Sequence, residues 1–158
     1  MLKDEIVDQI PALRAYSRCL CRSFSQAEDL VQETLLRAIE YADSFQPGTN
    51  LRAWLFTIMR NRFLTNCRKS ARELTGGVDC VSDQPRVEAG QEWYMQAIEV
   101  RRVLRDMPAH YRDAIVLVGG FGESYIDAAR ILDCDIGTIK SRVNRARRIL
   151  REALEPAL

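Results

Sequence analysis

The apolar residues of this chain recur at helical spacing in both halves, and no segment alternates apolar and polar residues as a strand does. The spacing is clearest in one stretch of the first half, where the stripe comprises Ala27, Leu30, Val31, Thr34, Leu35, Ala38 and Ala42. A helix with such a stripe must bury it against other helices. Because 47% of the residues are hydrophobic, the chain can supply a core. The pattern predicts an all-α fold.

The first half predicts three helices. The first runs from Asp4 to about Arg22, with a kink or boundary at Pro11. The second begins near Ser25, whose hydroxyl is expected to cap it with Glu28 completing a capping box. The third begins after Asn50, and its inward residues are expected to be Leu51, Trp54, Leu55, Ile58 and Phe63. Phe56 is the aromatic expected to be exposed on this helix.

The helical pattern stops between residues 75 and 91, where three glycines and a proline occur and acidic residues outnumber basic ones. This composition is typical of a flexible linker. We therefore predict two small helical domains, residues 1–74 and 92–158, joined by an acidic linker at 75–91.

The second half predicts a helix at 92–106, a helix at 109–118 and a break at the glycines that follow. A short helix then begins at Ser124, with Asp127 as its capping partner and Tyr125, Ala128, Ala129 and Leu132 as its apolar face. After a turn at Asp133-Cys134, the last helix begins near Asp135. A short capped helix, a tight turn and a longer basic helix form a helix-turn-helix.

The last helix has two distinct faces. The predicted buried face comprises Ile136, Ile139, Val143, Ala146 and Leu150. At 100° per residue the opposite side carries Ser141, Arg145 and Arg148, with Thr138 and Asn144 beside them and Lys140 and Arg142 on the flanks. Guanidinium and amide groups can pair with base edges, and flanking cations can meet phosphates. This face is predicted to enter a DNA major groove.

Basic residues are concentrated in two tracts although the formal net charge is only +1. Residues 60–72 hold five basic residues and residues 136–151 hold six, and neither tract contains an acid. Two such tracts indicate two contacts with a polyanion. The first tract also contains amides and lies beside aromatics, which suits an unpaired nucleic-acid strand.

Other classes of function have little support in the sequence. It contains no phosphate-binding loop or nucleophile elbow, and its single histidine disfavours acid–base catalysis. Five scattered cysteines predict reduced, mostly buried thiols rather than a metal site. No signal peptide or membrane span is indicated. We expect a cytoplasmic protein that is not an enzyme and has no catalytic residues, cofactor, metal or membrane partner.

Three segments together resemble one protein family. Ala27–Thr34 resembles the second-region helix of extracytoplasmic-function (ECF) sigma factors, Leu51–Ile58 with Arg60-Asn61 resembles their promoter-melting segment, and Gly137–Arg147 is similar to their recognition helix. The three segments occur in the family's order, and the resemblance extends over nearly the whole chain. Leu117–Gly119 and the segment from Cys134 to Lys140 resemble the general-stress subgroup called EcfG.

The resemblance implies a binding site for each partner. Core RNA polymerase, through its β′ clamp coiled coil, would contact Asp29, Gln32, Glu33 and Arg37. The minus-ten promoter element would contact Arg60, Asn61, Arg62, Thr65, Asn66, Arg68 and Lys69. The minus-thirty-five element would contact Thr138, Lys140, Ser141, Arg142, Asn144, Arg145, Arg147 and Arg148. The resemblance also implies contact with the polymerase β flap and control by a NepR-like anti-sigma factor.

The sequence departs from the family pattern at Ile126, where the family usually has an acid, and at two further positions that affect this interpretation. Asp133 stands where the family usually has glycine, and aspartate tolerates the left-handed conformation that such a turn requires. Thr65 occupies a position where many members have Asp or Asn, and Asn66 follows it, so the residue that holds the flipped base is left open. The alternative function is a sigma-like decoy that sequesters an anti-sigma factor without binding DNA.

Overall fold

The computed structural model describes residues 1–73 and 91–155. These residues form helices and turns and contain no strand, which confirms the all-α prediction. They cluster into two compact units, one on each side of residues 74–90. The predicted linker lies outside the described residues except for Gln91, where a helix begins.

Residues 1–73 of the first unit form four α-helices. They are α1 (Leu2–Asp8), α2 (Ile10–Leu20), α3 (Phe24–Glu40) and α4 (Leu51–Glu73), with a 3-10 turn at Ala42–Ser44. The break between α1 and α2 falls at Gln9, so Pro11 lies in the first turn of α2, where its missing N–H leaves no hydrogen bond unmade. The helices α2, α3 and α4 all pack on one another.

Phe56 lies at the centre of this unit, fully buried, with its ring centroid 4.5 Å from that of Tyr16. The prediction that Phe56 is exposed was therefore wrong. Both α2 and α3 pack on α4, so α4 buries a wider face than one stripe, including Ala53, Leu55 and Met59. Trp54 is only half-buried and packs on Phe45, with 5.2 Å between ring centroids.

The start of α3 differs from its prediction by two residues. Ser23 is the extended N-cap residue, and its Oγ accepts a hydrogen bond from the Gln26 N–H at 3.1 Å. Ser25 lies inside the first turn, so its predicted capping role was wrong. Phe24 and Ser25 both adopt helical geometry, which moves the cap to the next serine upstream. The predicted start of α4 is confirmed, because Asn50 Oδ1 accepts from the Ala53 N–H at 3.1 Å.

Replacing Ser23 with alanine is expected to lower the free energy of unfolding of the first unit by about 1 kcal/mol, because the Gln26 N–H loses its acceptor. Urea denaturation measures the change. Ser25→Ala is the matched control and is expected to alter stability by less than about 0.5 kcal/mol. A larger loss in Ser25→Ala than in Ser23→Ala would contradict the cap seen in the structure.

Residues 91–155 of the second unit also form four α-helices. They are α5 (Gln91–Asp106), α6 (Ala109–Ile115), α7 (Tyr125–Leu132) and α8 (Ile136–Leu154), with a π-helical turn at Val116–Gly120. The predicted break after α6 takes the form of this turn followed by Gly122, whose φ of +71° favours glycine. The Arg112 guanidinium donates to the carbonyls of Leu104 and Arg105, at 3.3 and 3.2 Å, and so ties α6 to the end of α5.

The helix α8 packs on α5, α6 and α7 and is the centre of this unit. Its predicted buried face is confirmed for Ile139, Val143 and Ala146, which are fully buried. Ile136 is 40% exposed, so its assignment to that face was wrong. Ile136 is the first residue of α8 and lies at the end of the buried stripe, where the neighbouring helices no longer cover it. Ile131 of α7 is buried, although it was not in the predicted apolar face.

Candidate nucleic-acid interface

The turn between α7 and α8 sets the position of the basic helix. Ser124 Oγ accepts from the Asp127 N–H at 3.0 Å, which confirms the predicted cap of α7. Asp133 has a φ of 52° and a ψ of 57°, so the expected left-handed aspartate is confirmed. The Cys134 N–H then donates to the Ala129 carbonyl at 3.0 Å, and Asp135 begins α8. These bonds close the C-terminus of α7 in the manner of a glycine-terminated helix.

The residues predicted to contact the minus-thirty-five element lie on α8 away from its buried face. Six of them are exposed, Lys140, Ser141, Asn144, Arg145, Arg147 and Arg148, and the remaining two, Thr138 and Arg142, are half-buried. Lys140 Nζ lies 5.9 Å from the centroid of the Tyr125 ring, a cation–π contact that joins the two helices of the motif. The result is a cationic helix surface with donors and acceptors that can meet base edges and phosphates.

The residues predicted to contact the minus-ten element occupy the C-terminal half of α4. Asn61, Thr65, Arg68 and Lys69 are exposed, whereas Arg60, Arg62 and Asn66 are half-buried. The Thr65 hydroxyl donates to the Asn61 carbonyl at 3.0 Å. Its proton is therefore already used within the helix. The Asn66 amide nitrogen donates a hydrogen bond to Glu33 of α3.

The residues predicted to bind polymerase lie on α3. Asp29 and Gln32 are exposed, and Glu33 and Arg37 are half-buried. Glu33 Oε2 accepts from Arg62 Nε at 2.7 Å and from Asn66 Nδ2 at 3.2 Å. Glu33, a predicted polymerase-binding residue, is therefore hydrogen-bonded to Arg62 and Asn66, two residues predicted to bind the minus-ten element. A second ion pair on α3 joins Glu28 to Arg14 of α2 at 3.9 Å.

The pKa of Glu33 reflects these contacts. Burial by itself raises the pKa, but the hydrogen bonds from Arg62 and Asn66, with the charges of Arg62 and Arg37, outweigh burial and lower it below its ordinary value. A carboxyl whose pKa is lowered by folding stabilises the fold above its unfolded pKa. That contribution is lost as pH falls through the lowered value. The carboxylate is ionised at neutral pH, as the ion pair requires.

Two exposed apolar residues on α3 were missed by the sequence analysis. Leu36 and Ile39 are 68% and 52% exposed, and at helical spacing they lie beside Gln32 on the polar face. The signal was present in the sequence, because both residues fall outside the stripe that Ala27 and Leu30 begin. Apolar side chains surrounded by polar ones on an exposed helix face are typical of a protein contact.

The cysteines of the described residues are free thiols. Cys19 and Cys67 are exposed and Cys21 and Cys134 half-buried, so the prediction of mostly buried thiols was wrong for this set. Burial, with the nearby Cys67 and Glu33, raises the pKa of the Cys21 thiol to about 11, and burial also raises that of Cys67. Both thiols are protonated at neutral pH, a state that binds metal poorly.

Residues 1–73 and 91–155 contain no group of three metal-binding side chains. Within the same residues no helix is both long enough and apolar enough to cross a bilayer.

A single chain thus carries an α3 face suited to a protein contact, a basic tract on α4 and a helix-turn-helix. These features define a two-region sigma-70 protein. The chain matches the family "Sigma-70 region 2" over residues 6–73 and "Sigma-70, region 4" over residues 97–150. It is 48% identical to the ECF RNA polymerase sigma factor EcfG of Rhodopseudomonas palustris, over 92% of this chain and 81% of that protein.

Other sigma factors are also similar to this chain. The ECF sigma factor SigC of Mycobacterium tuberculosis is 37% identical, over 82% of this chain and 71% of its own. The sigma factor RpoE of Bartonella quintana, solved in complex with the anti-sigma factor NepR, is 42% identical. It has a TM-score of 0.84 over 98% of this chain and 96% of its own. The chain belongs to the ECF family of RNA polymerase sigma factors. The identity to EcfG agrees with the subgroup predicted from the sequence.

Proposed function

We propose that the chain binds core RNA polymerase, recognises two promoter elements and directs the initiation of transcription in a general stress response. The observation that carries this proposal is the helix-turn-helix whose second helix, α8, exposes a cationic face while burying the opposite one. A protein that only sequestered another protein would have no need of such a face. The proposed activity is regulatory and requires no catalytic residue or cofactor.

The α3 face is the proposed polymerase site. Asp29 and Gln32 are exposed on it, and Leu36 and Ile39 place apolar surface beside them. Apolar anchors within a polar rim suit a helical partner such as the β′ clamp coiled coil. In the second unit we propose that α8 reads the minus-thirty-five element while this unit also contacts the β flap.

The α4 tract is the proposed minus-ten site. Its basic and amide side chains, which are exposed or half-buried, lie along the C-terminal half of a helix whose N-terminal half is anchored in the core by Leu55, Phe56 and Met59. A rigid platform of this kind lets a flipped base be captured, at a cost of a few kcal/mol for unstacking. Asn66 and Thr65 remain the two candidates for the base contact.

Regulation by an anti-sigma factor follows from the relatives. The Bartonella RpoE structure contains NepR, and this chain matches that sigma factor over nearly its whole length. We propose that a NepR-like protein holds this chain inactive in the cytoplasm, where the polymerase acts.

Asp29→Lys is expected to weaken binding to core polymerase at least about tenfold, because it reverses a charge on the proposed contact face. The measurement is association of labelled chain with purified core enzyme. It is followed by run-off transcription, in which the wild-type chain gives promoter-dependent transcripts that core enzyme alone does not give.

Asp43→Lys is the matched control, since Asp43 is an exposed acid on the 3-10 turn after α3. It is expected to bind core enzyme like the wild-type chain. A chain that binds a NepR-like protein but gives no transcript with core enzyme would be a decoy, and the proposed function would be rejected.

A further inference from the structure

The Glu33 carboxylate joins α3 to α4 through one oxygen. Glu33 Oε2 accepts from Arg62 Nε at 2.7 Å and from Asn66 Nδ2 at 3.2 Å. Arg62 and Asn66 are four residues apart on α4 and so lie on one face of it. The first bond is short and charge-assisted, and such bonds are the stronger ones in proteins. A single carboxylate therefore fixes two neighbouring side chains of the α4 tract.

Both donors keep most of their hydrogen-bonding capacity. A guanidinium has five N–H groups, and the bond to Glu33 uses only the one at Nε. The two terminal nitrogens of Arg62 remain available to a phosphate or a base edge. The Asn66 amide donates through Nδ2, which turns its carbonyl oxygen away from Glu33. Neither side chain is buried, so each can reach a ligand without leaving Glu33.

We propose that Glu33 is a positioning residue for the single-stranded DNA site. It orients the Arg62 guanidinium and the Asn66 amide toward an unpaired strand before that strand binds. The inference rests on the proposed function, because it takes the α4 tract to be the minus-ten site. It adds that one residue of the polymerase-facing helix organises the DNA-facing one, so that α3 and α4 form a single linked site.

Two roles for Glu33 predict opposite changes in DNA affinity when Glu33 is removed. If Glu33 orients its donors, removing it frees two side chains that must then be ordered on binding, and affinity falls. If Glu33 instead neutralised Arg62 and repelled the strand's phosphates, removing it would raise affinity. The monodentate contact through Nε favours orientation, because it leaves the terminal nitrogens of Arg62 unoccupied.

The chain contains a matched control. Glu28 lies on the same helix, is similarly exposed and forms an ion pair with an arginine, Arg14, at 3.9 Å. Arg14 belongs to α2, outside the α4 tract. Loss of an α3 carboxylate can therefore be compared with and without loss of an α4 partner.

The test measures binding of the full chain to a fluorescein-labelled, mixed-sequence 12-nucleotide single-stranded DNA by anisotropy. Glu33→Ala is expected to weaken binding roughly fivefold to twentyfold, as two side chains lose their orientation. Glu33→Gln, which keeps an acceptor oxygen, is expected to fall between it and the wild type. Glu28→Ala is expected to stay within about twofold of the wild type. Circular dichroism establishes that each variant is folded.

A second set of variants, made in a chain that lacks both donors, distinguishes the positioning role of Glu33 from a merely structural one. In a chain carrying Arg62→Ala and Asn66→Ala, adding Glu33→Ala is expected to weaken binding less than about twofold, since no donor is left to orient. An effect of undiminished size in that background would overturn the proposal. So would Glu33→Ala or Glu33→Gln binding the strand as tightly as, or more tightly than, the wild-type chain.

Arg68→Ala and Lys69→Ala distinguish failure of this inference from failure of the proposed function. Both residues are exposed in the same tract and lie outside the Glu33 contacts. If binding depends on Arg68 and Lys69 but not on Glu33, the positioning role is rejected and the minus-ten site stands. If the wild-type chain does not bind the strand, or binds it independently of all these residues, the minus-ten site itself is rejected.

Discussion

Phe56→Ala is expected to lower the free energy of unfolding of the first unit by about 3–5 kcal/mol. Phe56 is fully buried, and its ring is 4.5 Å from that of Tyr16 in the layer between α2 and α4. Truncation removes the apolar contacts of the ring and leaves a cavity that helices on several sides cannot fill. Because small domains are stable by only about 5–15 kcal/mol, a large part of the unit's stability would be lost.

Urea denaturation followed by Trp54 fluorescence measures this effect, with Trp93 replaced by phenylalanine so that the signal comes from the first unit. Phe24→Ala is the control, since Phe24 is 48% exposed and its ring makes a cation–π contact with Arg18. The control is expected to cost no more than about 1 kcal/mol. Equal stability of the two variants would contradict the burial of Phe56 between α2 and α4.

Arg145→Ala is expected to cost about 1–3 kcal/mol in binding at one base position of the upstream promoter element and to relax the preference there. Arg145 is exposed on α8, opposite the buried Val143 and Ala146 side of the helix. Its guanidinium can donate two hydrogen bonds to one guanine, a contact that distinguishes bases. The measurement is binding of reconstituted holoenzyme to promoter variants changed one base pair at a time.

Arg142→Ala is the companion variant. Arg142 is half-buried on the flank of α8, where a phosphate contact is expected. Its loss should weaken all promoter variants alike and reduce the salt slope of binding by about one. Equal weakening of every variant by Arg145→Ala, or an unchanged salt slope in Arg142→Ala, would contradict these assignments.

The features predicted correctly are those decided within one or two turns of chain. Ser124 caps α7 and α4 begins after Asn50, both as predicted, because a cap needs only an oxygen three residues before an N–H. Asp133 adopts the left-handed conformation where the α7–α8 turn requires it. The buried stripe of α8 follows from a period of 3.6 residues. The residue roles that the family resemblance implies stay predictions.

The wrong predictions involve residues whose surroundings come from elsewhere in the chain. Periodicity shows that α4 has an apolar face but not how wide it is, and packing by both α2 and α3 is what buries Phe56. At the end of a helix, periodicity can instead predict burial for a residue that is exposed. Ile136 fits the stripe of α8 but lies beyond the residues that cover it.

The amino-acid sequence by itself determined the helices of this protein, the turn of its helix-turn-helix and the cationic face of α8, because these depend on hydrogen bonds and spacings between near neighbours. Only the tertiary structure decided that Glu33 contacts Arg62 and Asn66, which are 29 and 33 residues further along the chain. Such a contact depends on how α3 and α4 pack, and packing depends on the shapes of all the side chains between them rather than on any local pattern.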